Sequence, residues 1–161
     1  MRRFAALLTL VLALMPLRAR AHWQYTRWGM TPEEVTKASE GAAGPLTEAD
    51  RPYRFATASS ITQELSADYT SGDLRFRAIF GFEGGKLSLV TLHLLNDGGD
   101  GPKLRMALEG KYGSPFSDSA SRYMRHVKWQ DDKNEVLYSD VGGKGAQVSY
   151  RPRKTANNAG L

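Results

Sequence analysis

The sequence predicts an α+β domain in which one antiparallel sheet of about six strands carries two helices on one face. Three observations support this prediction. A helix start follows Trp28, an alternating strand pattern runs through residues 74–95, and a second helix near Gly101 precedes three further strand patterns. Because helix and strands occur twice in this order, the chain is consistent with two α-β-β-β units in tandem, although residue identity between the halves is too weak to establish a duplication.

The first helix is predicted over residues 32–40. Thr31 is a capping residue, Pro32 fits the first helical position, and Glu34 completes a capping box. Gly41 can adopt the left-handed conformation that commonly ends a helix. The helix is short and has few apolar side chains, so we expect it to pack on a sheet.

Residues 74–95 predict a β-hairpin. Its first strand alternates polar residues with an apolar set that predicts one buried face: Leu74, Phe76, Ala78, Phe80 and Phe82. Arg75 and Arg77 are then expected to face solvent. Gly84 and Gly85 supply the positive-φ residues of a two-residue hairpin turn.

The two-residue turn also sets the register of the hairpin. Counting outward from it predicts the pairs of apolar residues in the first strand with the second: Phe82 with Leu87, Phe80 with Leu89, Ala78 with Thr91, and Phe76 with His93. However, Val90, Leu92 and Leu94 lie in the opposite phase to Leu87 and Leu89. We therefore expect either a bulge near Leu89 and Val90 or a strand that is buried on both faces.

The remaining elements have weaker patterns. A strand is expected at residues 64–70, and a short edge strand at residues 53–55. The second helix is expected to begin at Gly101-Pro102 and to end at Gly113, with Leu104, Leu108 and Tyr112 on one apolar stripe. The last three strands are expected at residues 123–129, 135–140 and 146–151.

The first 21 residues predict a secretory signal peptide. Arg2 and Arg3 precede an apolar run at residues 4–17, and Ala19-Arg20-Ala21 has the pattern of a cleavage site. Cleavage after Ala21 would leave residues 22–151 as a single α+β domain and residues 152–161 as a disordered tail. The predicted location is periplasmic or secreted, with no integral membrane span after cleavage.

The formal net charge of +5 is mostly a property of this leader. The mature chain keeps 18 basic and 17 acidic residues, so its balance gives no indication of nucleic-acid binding. The charge is nevertheless uneven, because residues 22–100 carry a net −4 and residues 101–161 a net +5. The chain has no cysteine, which excludes disulfides, thiolate metal sites and cysteine nucleophiles.

The motif Gly29-Met30-Thr31-Pro32-Glu33-Glu34-Val35, followed later by Lys111-Tyr112-Gly113 and a Trp-containing meander, resembles segments of small exported bacterial proteins. The helix-plus-meander unit is similar to that of SmpA/OmlA-type outer-membrane-assembly lipoproteins. The doubled arrangement resembles the β-lactamase inhibitory proteins. The chain lacks the lipidated cysteine of the first group and the disulfide cysteines of the second. The resemblance implies a fold, an exported location and an interaction role.

One candidate metal ligand stands out among the three histidines. Cleavage after Ala21 would make His22 the mature N-terminus, where the α-amine and the imidazole together suit Cu(II). A tight site would need a second imidazole from His93 or His126. No HxxxH or HExxH spacing and no GxSxG motif is present, so we predict no enzyme and no cofactor.

A basic and aromatic group near the end of the chain is the candidate ligand patch: Arg122, Tyr123, Arg125, Lys128 and Trp129. Such a patch could bind an anionic glycan or a lipid headgroup, although a solvated strand face is the simpler interpretation. The predicted function is therefore an exported, non-enzymatic binding module with an envelope protein or a surface polymer as its partner. The alternative is a copper-binding protein that uses His22. Neither the specific ligand nor the oligomeric state follows from the sequence.

Overall fold

The computed structural model describes residues 23–54, 57–95, 99–142 and 145–154. The predicted signal peptide, His22, Phe55 and the tail from residue 155 onward lie outside these ranges. The helices are α1 (Pro32–Ala38), a 3₁₀ helix (Glu48–Tyr53) and α2 (Gly101–Tyr112). The strands are β1 (Gly44–Pro45), β2 (Ile61–Ser71), β3 (Leu74–Glu83), β4 (Lys86–Leu94), β5 (Ser117–Ala120), β6 (Arg125–Gln130), β7 (Asn134–Asp140) and β8 (Ala146–Pro152).

All the strands belong to one antiparallel sheet with the order β1-β2-β3-β4-β8-β7-β6-β5. The α+β class is therefore confirmed, but the sheet has eight strands rather than about six. The additional strands β1 and β5 contain two and four residues, too few for a period-two pattern. The strand expected at residues 53–55 is wrong at Tyr53, which ends the 3₁₀ helix. Strand β8 extends one residue beyond the expected domain end, to Pro152.

The two α-helices begin where the sequence predicts. In α1 the Glu34 N–H donates to Thr31 Oγ1 at 3.3 Å, and the Thr31 N–H donates to Glu34 Oε2 at 2.8 Å, so the capping box is confirmed. The helix ends at Ala38 rather than at residue 40, and Gly41 follows with a φ of +85°. Helix α2 has the expected bounds. No helix in the described parts of the chain is long and apolar enough to cross a membrane.

The front face of the sheet carries the main core and both α-helices. Val35 of α1 and Leu104 and Leu108 of α2 belong to the same cluster of buried residues as the predicted apolar set of β3. Trp23 extends this cluster, because its ring contacts Phe80 edge-on with a centroid distance of 5.7 Å. The buried face predicted for the first strand of the hairpin is thus confirmed.

The hairpin register is confirmed next to the turn and is wrong farther from it. Phe82 pairs with Leu87 as predicted, but Phe80 pairs with Val90 because an irregularity at Gly81 leaves Ser88 without a partner residue in the register. This bulge shifts the second strand by one residue, so His93 lies opposite Arg77 instead of Phe76. It also brings Val90, Leu92 and Leu94 onto the front face with the rest of the core.

Gly81 lies at this bulge with little space around its α-carbon. A β-carbon added there would be 2.8 Å from Ile61 Cγ2 and 3.2 Å from Leu89 Cβ. Ile61, Leu89 and Gly81 therefore pack closely on the back face of the sheet, the face opposite the main core. A glycine permits this approach because it has no side chain.

The back face of the first half of the sheet, strands β1 to β4, is covered by the segment that contains the 3₁₀ helix. Asp50 in this segment is fully buried and receives hydrogen bonds from Arg77 Nε at 2.5 Å and from the Thr47 N–H at 2.7 Å. Farther along, the Tyr53 ring lies 5.7 Å from the His93 ring. The expectation that Arg77 faces solvent is therefore wrong, because the 3₁₀ segment places a buried carboxylate over it.

Candidate functional site

The back face of the second half of the sheet, strands β5 to β8, forms an open groove. The groove has a volume of about 410 Å³, which is within the range of small-molecule sites. The side chains that face it come from strands β6, β7 and β8 and from the residue before β5. They are Phe116, Lys128, Glu135, Leu137, Gln147, Ser149 and Arg151. We call this set the groove residues.

The groove residues follow from the alternation of β6, β7 and β8. On β8, Ala146, Val148 and Tyr150 are buried in the main core. The intervening residues Gln147, Ser149 and Arg151 must then point to the opposite face. Lys128 lies between two core residues along β6, so its side chain also points to the opposite face.

The register brings the groove residues together in two rows across the sheet. Lys128 pairs with Leu137, and Leu137 pairs with Ser149. In the next row Glu135 pairs with Arg151. Leu137 and Ser149 therefore form the floor of the groove, and the charged side chains stand around it.

The groove carries more positive than negative charge. Lys128, Glu135 and Arg151 are all exposed, and within the described residues neither cation makes an ion pair. Phe116 is 60% exposed at the rim, beside its backbone hydrogen bond to Lys128 O. The groove thus offers two available cations, one carboxylate, polar floor groups and one aromatic ring.

A second, smaller cavity continues the groove toward the first half. It has a volume of about 280 Å³, and Gln147 lines both cavities. Tyr53, His93 and Val141 are among its other lining residues. Together the two cavities run from Phe116 to the edge of the segment that covers the first half.

The structure divides the predicted ligand patch instead of bringing it together. Trp129 is only 1% exposed on the front face, and its Nε1–H donates to Gly113 O at 2.9 Å. Arg125 donates to both carboxylate oxygens of Asp118 at 3.0 and 2.6 Å, and this hydrogen bonding lowers the pKa of Asp118. Of the predicted group, Lys128 alone is a groove residue.

The other two members of the patch lie in a turn between β5 and β6. Arg122 stacks on the exposed ring of Tyr123, with its guanidinium carbon 5.5 Å from the ring centroid. The turn is stabilised by Ser121, whose Oγ accepts from the Met124 N–H at 3.1 Å. Arg122 and Tyr123 therefore form a small cation–π pair at the end of the sheet, separate from the groove residues.

The described geometry bears on the copper alternative although His22 lies outside the described residues. Trp23, the next residue, is buried in the front-face core. His93 and His126 have their side chains on the back face, where His126 Nδ1 lies 3.0 Å from Ser139 Oγ. Burial lowers the pKa of His93 to about 4.

Among residues 23–54, 57–95, 99–142 and 145–154, no group of three or more His, Cys, Asp or Glu side chains is arranged to hold a metal ion. Copper binding by His22 stays a prediction.

Sequence reasoning missed most of the groove residues. The alternation of Gln147, Ser149 and Arg151 with Ala146, Val148 and Tyr150 is legible in the sequence and identifies which side chains of β8 share a face. What the sequence does not reveal is that this face stays open while the same face of the first half is covered. That difference depends on the path of the 3₁₀ segment, and the sequence of this segment has no clear helix or strand pattern.

Fold and groove together define a class of protein: an antiparallel sheet with both α-helices on one face and a partly basic concavity on the other. No family model matches the sequence, and no curated protein or solved structure is detectably similar to it.

Proposed function

We propose that this chain is an exported, non-enzymatic binding module of the cell envelope and that the groove residues form its binding surface. The observation that carries the proposal is the uncovered back face of strands β5 to β8. There, Lys128 and Arg151 are exposed beside the floor formed by Leu137 and Ser149, and Phe116 is exposed at the rim. Exposed aromatic and cationic side chains around a concavity are features of recognition surfaces.

The finer description of the fold as two α-β-β-β units in tandem belongs to the same proposal. The strand order supports it, because β4-β3-β2 and β8-β7-β6 run outward from a shared seam between β4 and β8. The last strands of the two units, β4 and β8, pair over four residues. In this interpretation the first unit is a scaffold whose back face is covered, and the second unit provides the surface that binds the ligand.

An exported location is proposed from the signal peptide that the sequence predicts at residues 1–21, with predicted cleavage after Ala21. The test is the intact mass of the protein recovered from the periplasm and the medium of an expressing bacterium. In either fraction, an intact mass equal to that of a chain beginning at His22 supports the proposal. Full-length protein retained in the cytoplasm contradicts it.

The binding proposal is tested by capture from an envelope extract. The immobilised mature chain is compared with Leu137→Glu, which places a carboxylate in the groove floor, and with Met106→Glu, which places one on an exposed position of α2. Circular dichroism checks that both variants are folded. Bound protein and bound carbohydrate are measured separately.

We expect Leu137→Glu to lose most of the specifically retained material, whereas Met106→Glu should behave like the parent chain. Equal retention by all three proteins would contradict a role for the groove. Equal loss in both variants would show that capture depends on general surface charge, and it would contradict the proposal as well.

A further inference from the structure

We propose that the groove binds an acidic polysaccharide, specifically an extended chain with carboxylate-bearing sugars of the uronic acid type. This inference rests on the proposed function and names the ligand class of the same site. It is drawn from the charge spacing, the floor chemistry and the length of the groove.

The charge spacing favours a polymer over a small anion. Lys128 is on β6 and Arg151 is on β8, with β7 between them. Two strand spacings separate their backbones by about 9.5 Å across the sheet. A single carboxylate would have to draw both long side chains toward one point, whereas two carboxylates on neighbouring sugars of one chain can each bind one cation.

The chemistry between the cations favours a sugar over a peptide. Gln147 and Ser149 offer amide and hydroxyl groups that pair with sugar hydroxyls, and Glu135 can accept a hydrogen bond from a hydroxyl donor. Phe116 presents an exposed ring on which the apolar face of a sugar can stack. Leu137 and Phe116 are the apolar side chains that face the groove, whereas the core of a protein–protein interface is mostly apolar.

The length of the concavity also fits an extended ligand. The groove of about 410 Å³ and the adjoining cavity of about 280 Å³ share Gln147, so a chain that fills the first can continue into the second. The continuation runs past Tyr53 and His93. Affinity should therefore increase with the number of sugar units.

The test is calorimetric titration of the mature chain with defined probes. The probes are galacturonic acid, its dimer and its tetramer, together with uncharged maltotetraose and a tetraglutamate peptide. The groove variant carries Lys128→Gln and Arg151→Gln. The matched control carries Lys37→Gln and Lys86→Gln, which remove two exposed lysines from the first half.

We expect the tetramer to bind at least about tenfold more tightly than the monomer and than maltotetraose, since each charge-assisted contact contributes about 1.5 kcal/mol or more. The groove variant should lose about tenfold or more in affinity for the tetramer, and the control variant less than about twofold. Phe116→Ala should weaken tetramer binding severalfold, whereas Met106→Ala should not.

Three results would overturn the inference: no binding of the tetramer, equal affinities for monomer and tetramer, or equal losses in the groove and control variants. Tighter binding of tetraglutamate than of the tetramer would overturn it in favour of an acidic peptide. The capture experiment separates this failure from failure of the proposed function. If Leu137→Glu abolishes capture while no uronide binds, the groove is the binding surface and only the ligand class is wrong.

Discussion

The two halves of the sheet differ in what covers their back face. In the first half, the segment with the 3₁₀ helix buries Asp50 against Arg77 and brings Tyr53 onto His93. In the second half, the corresponding face is open, and Lys128 and Arg151 are exposed. One row of paired residues crosses both halves, so the same face of one sheet is core in one place and surface in another.

This difference shows that the role of a side chain depends on whether another segment packs over it as much as on its position in the strand. Arg77 and Arg151 both point to the back face. The first is held in a buried ion pair and the second faces the groove. Stability and recognition are thus separated along the sheet, and matched substitutions in the two halves measure the separation.

The largest effect is expected for removal of the buried ion pair. Arg77→Ala leaves the fully buried Asp50 carboxylate without its cation, which should destabilise the fold by about 3 to 5 kcal/mol. Arg151→Ala, on the open half, should change stability by less than about 0.5 kcal/mol. Urea denaturation of the two variants measures both values. Similar effects would mean that the 3₁₀ segment does not cover the first half in solution.

The next effect concerns two apolar residues in the same row of the sheet. Ile79 is 1% exposed under the covering segment, and Ile79→Ala should cost about 2 to 5 kcal/mol. Leu137 is half-buried in the open groove, and Leu137→Ala should cost about 1 kcal/mol because less apolar surface is lost from the interior. Denaturant midpoints measure the two losses of stability, provided that both variants unfold with the same dependence on denaturant concentration. A larger loss of stability for Leu137→Ala than for Ile79→Ala would contradict the assignment of the covered and open halves.

The covered half should also make stability depend on pH in two separate windows. Burial lowers the pKa of His93 from 6.5 to about 4, so the unfolded chain binds the proton more readily. Stability should therefore fall as the pH decreases from 6.5 to 4, by about 3 kcal/mol at most. His93→Gln should remove this fall, and urea midpoints between pH 7.5 and 4 would detect it.

The second window lies at lower pH and belongs to Asp50. Burial alone would raise the pKa of this carboxyl, but hydrogen bonds from Arg77, Thr47 and Ser66 lower it from 3.8 to about 2. The stabilisation is therefore complete above pH 3.8 and is lost as the pH falls toward 2, a change of about 2 kcal/mol. Asp50→Asn should abolish this step. A parent chain whose midpoint is constant between pH 4 and 2 would contradict the ion pair.

The smallest effect compares the starts of the two α-helices. Thr31→Ala removes the side-chain cap of α1 and should cost about 1 kcal/mol. Asp100 at the start of α2 makes no side-chain capping hydrogen bond, so Asp100→Ala should cost no more than a few tenths of a kcal/mol. Thermal melting of both variants measures the difference. An equal shift in both would indicate that the capping box does not stabilise α1.

Short sequence patterns predicted the elements that are determined by interactions between residues close together in the chain. The capping box at Thr31, the buried set from Leu74 to Phe82 and the bounds of α2 all follow from residue spacing, and the structure confirms them. The bulge could be anticipated as one of two options because Leu92 and Leu94 break the phase of the hairpin. The bulge was expected near Leu89 and Val90, and it lies at Ser88, next to Leu89.

The covering segment and the groove depend on long-range contacts, and this explains why the sequence did not reveal them. Asp50 and Arg77 are 27 residues apart, and no spacing rule joins them. The expected patch at residues 122–129 failed as a single surface for the opposite reason: neighbours along a strand alternate between faces, so Lys128 and Trp129 must point in opposite directions.

The crowding around Gly81 sets an expectation about evolution. Because an added β-carbon would lie 2.8 Å from Ile61 Cγ2, substitution of the glycine alone should be eliminated by selection in descendants of this sequence. An alanine at position 81 should become acceptable when residue 61 has no γ-carbon, as in alanine. Positions 81 and 61 are therefore expected to covary among homologues, whereas the groove residues are free to diverge with the ligand.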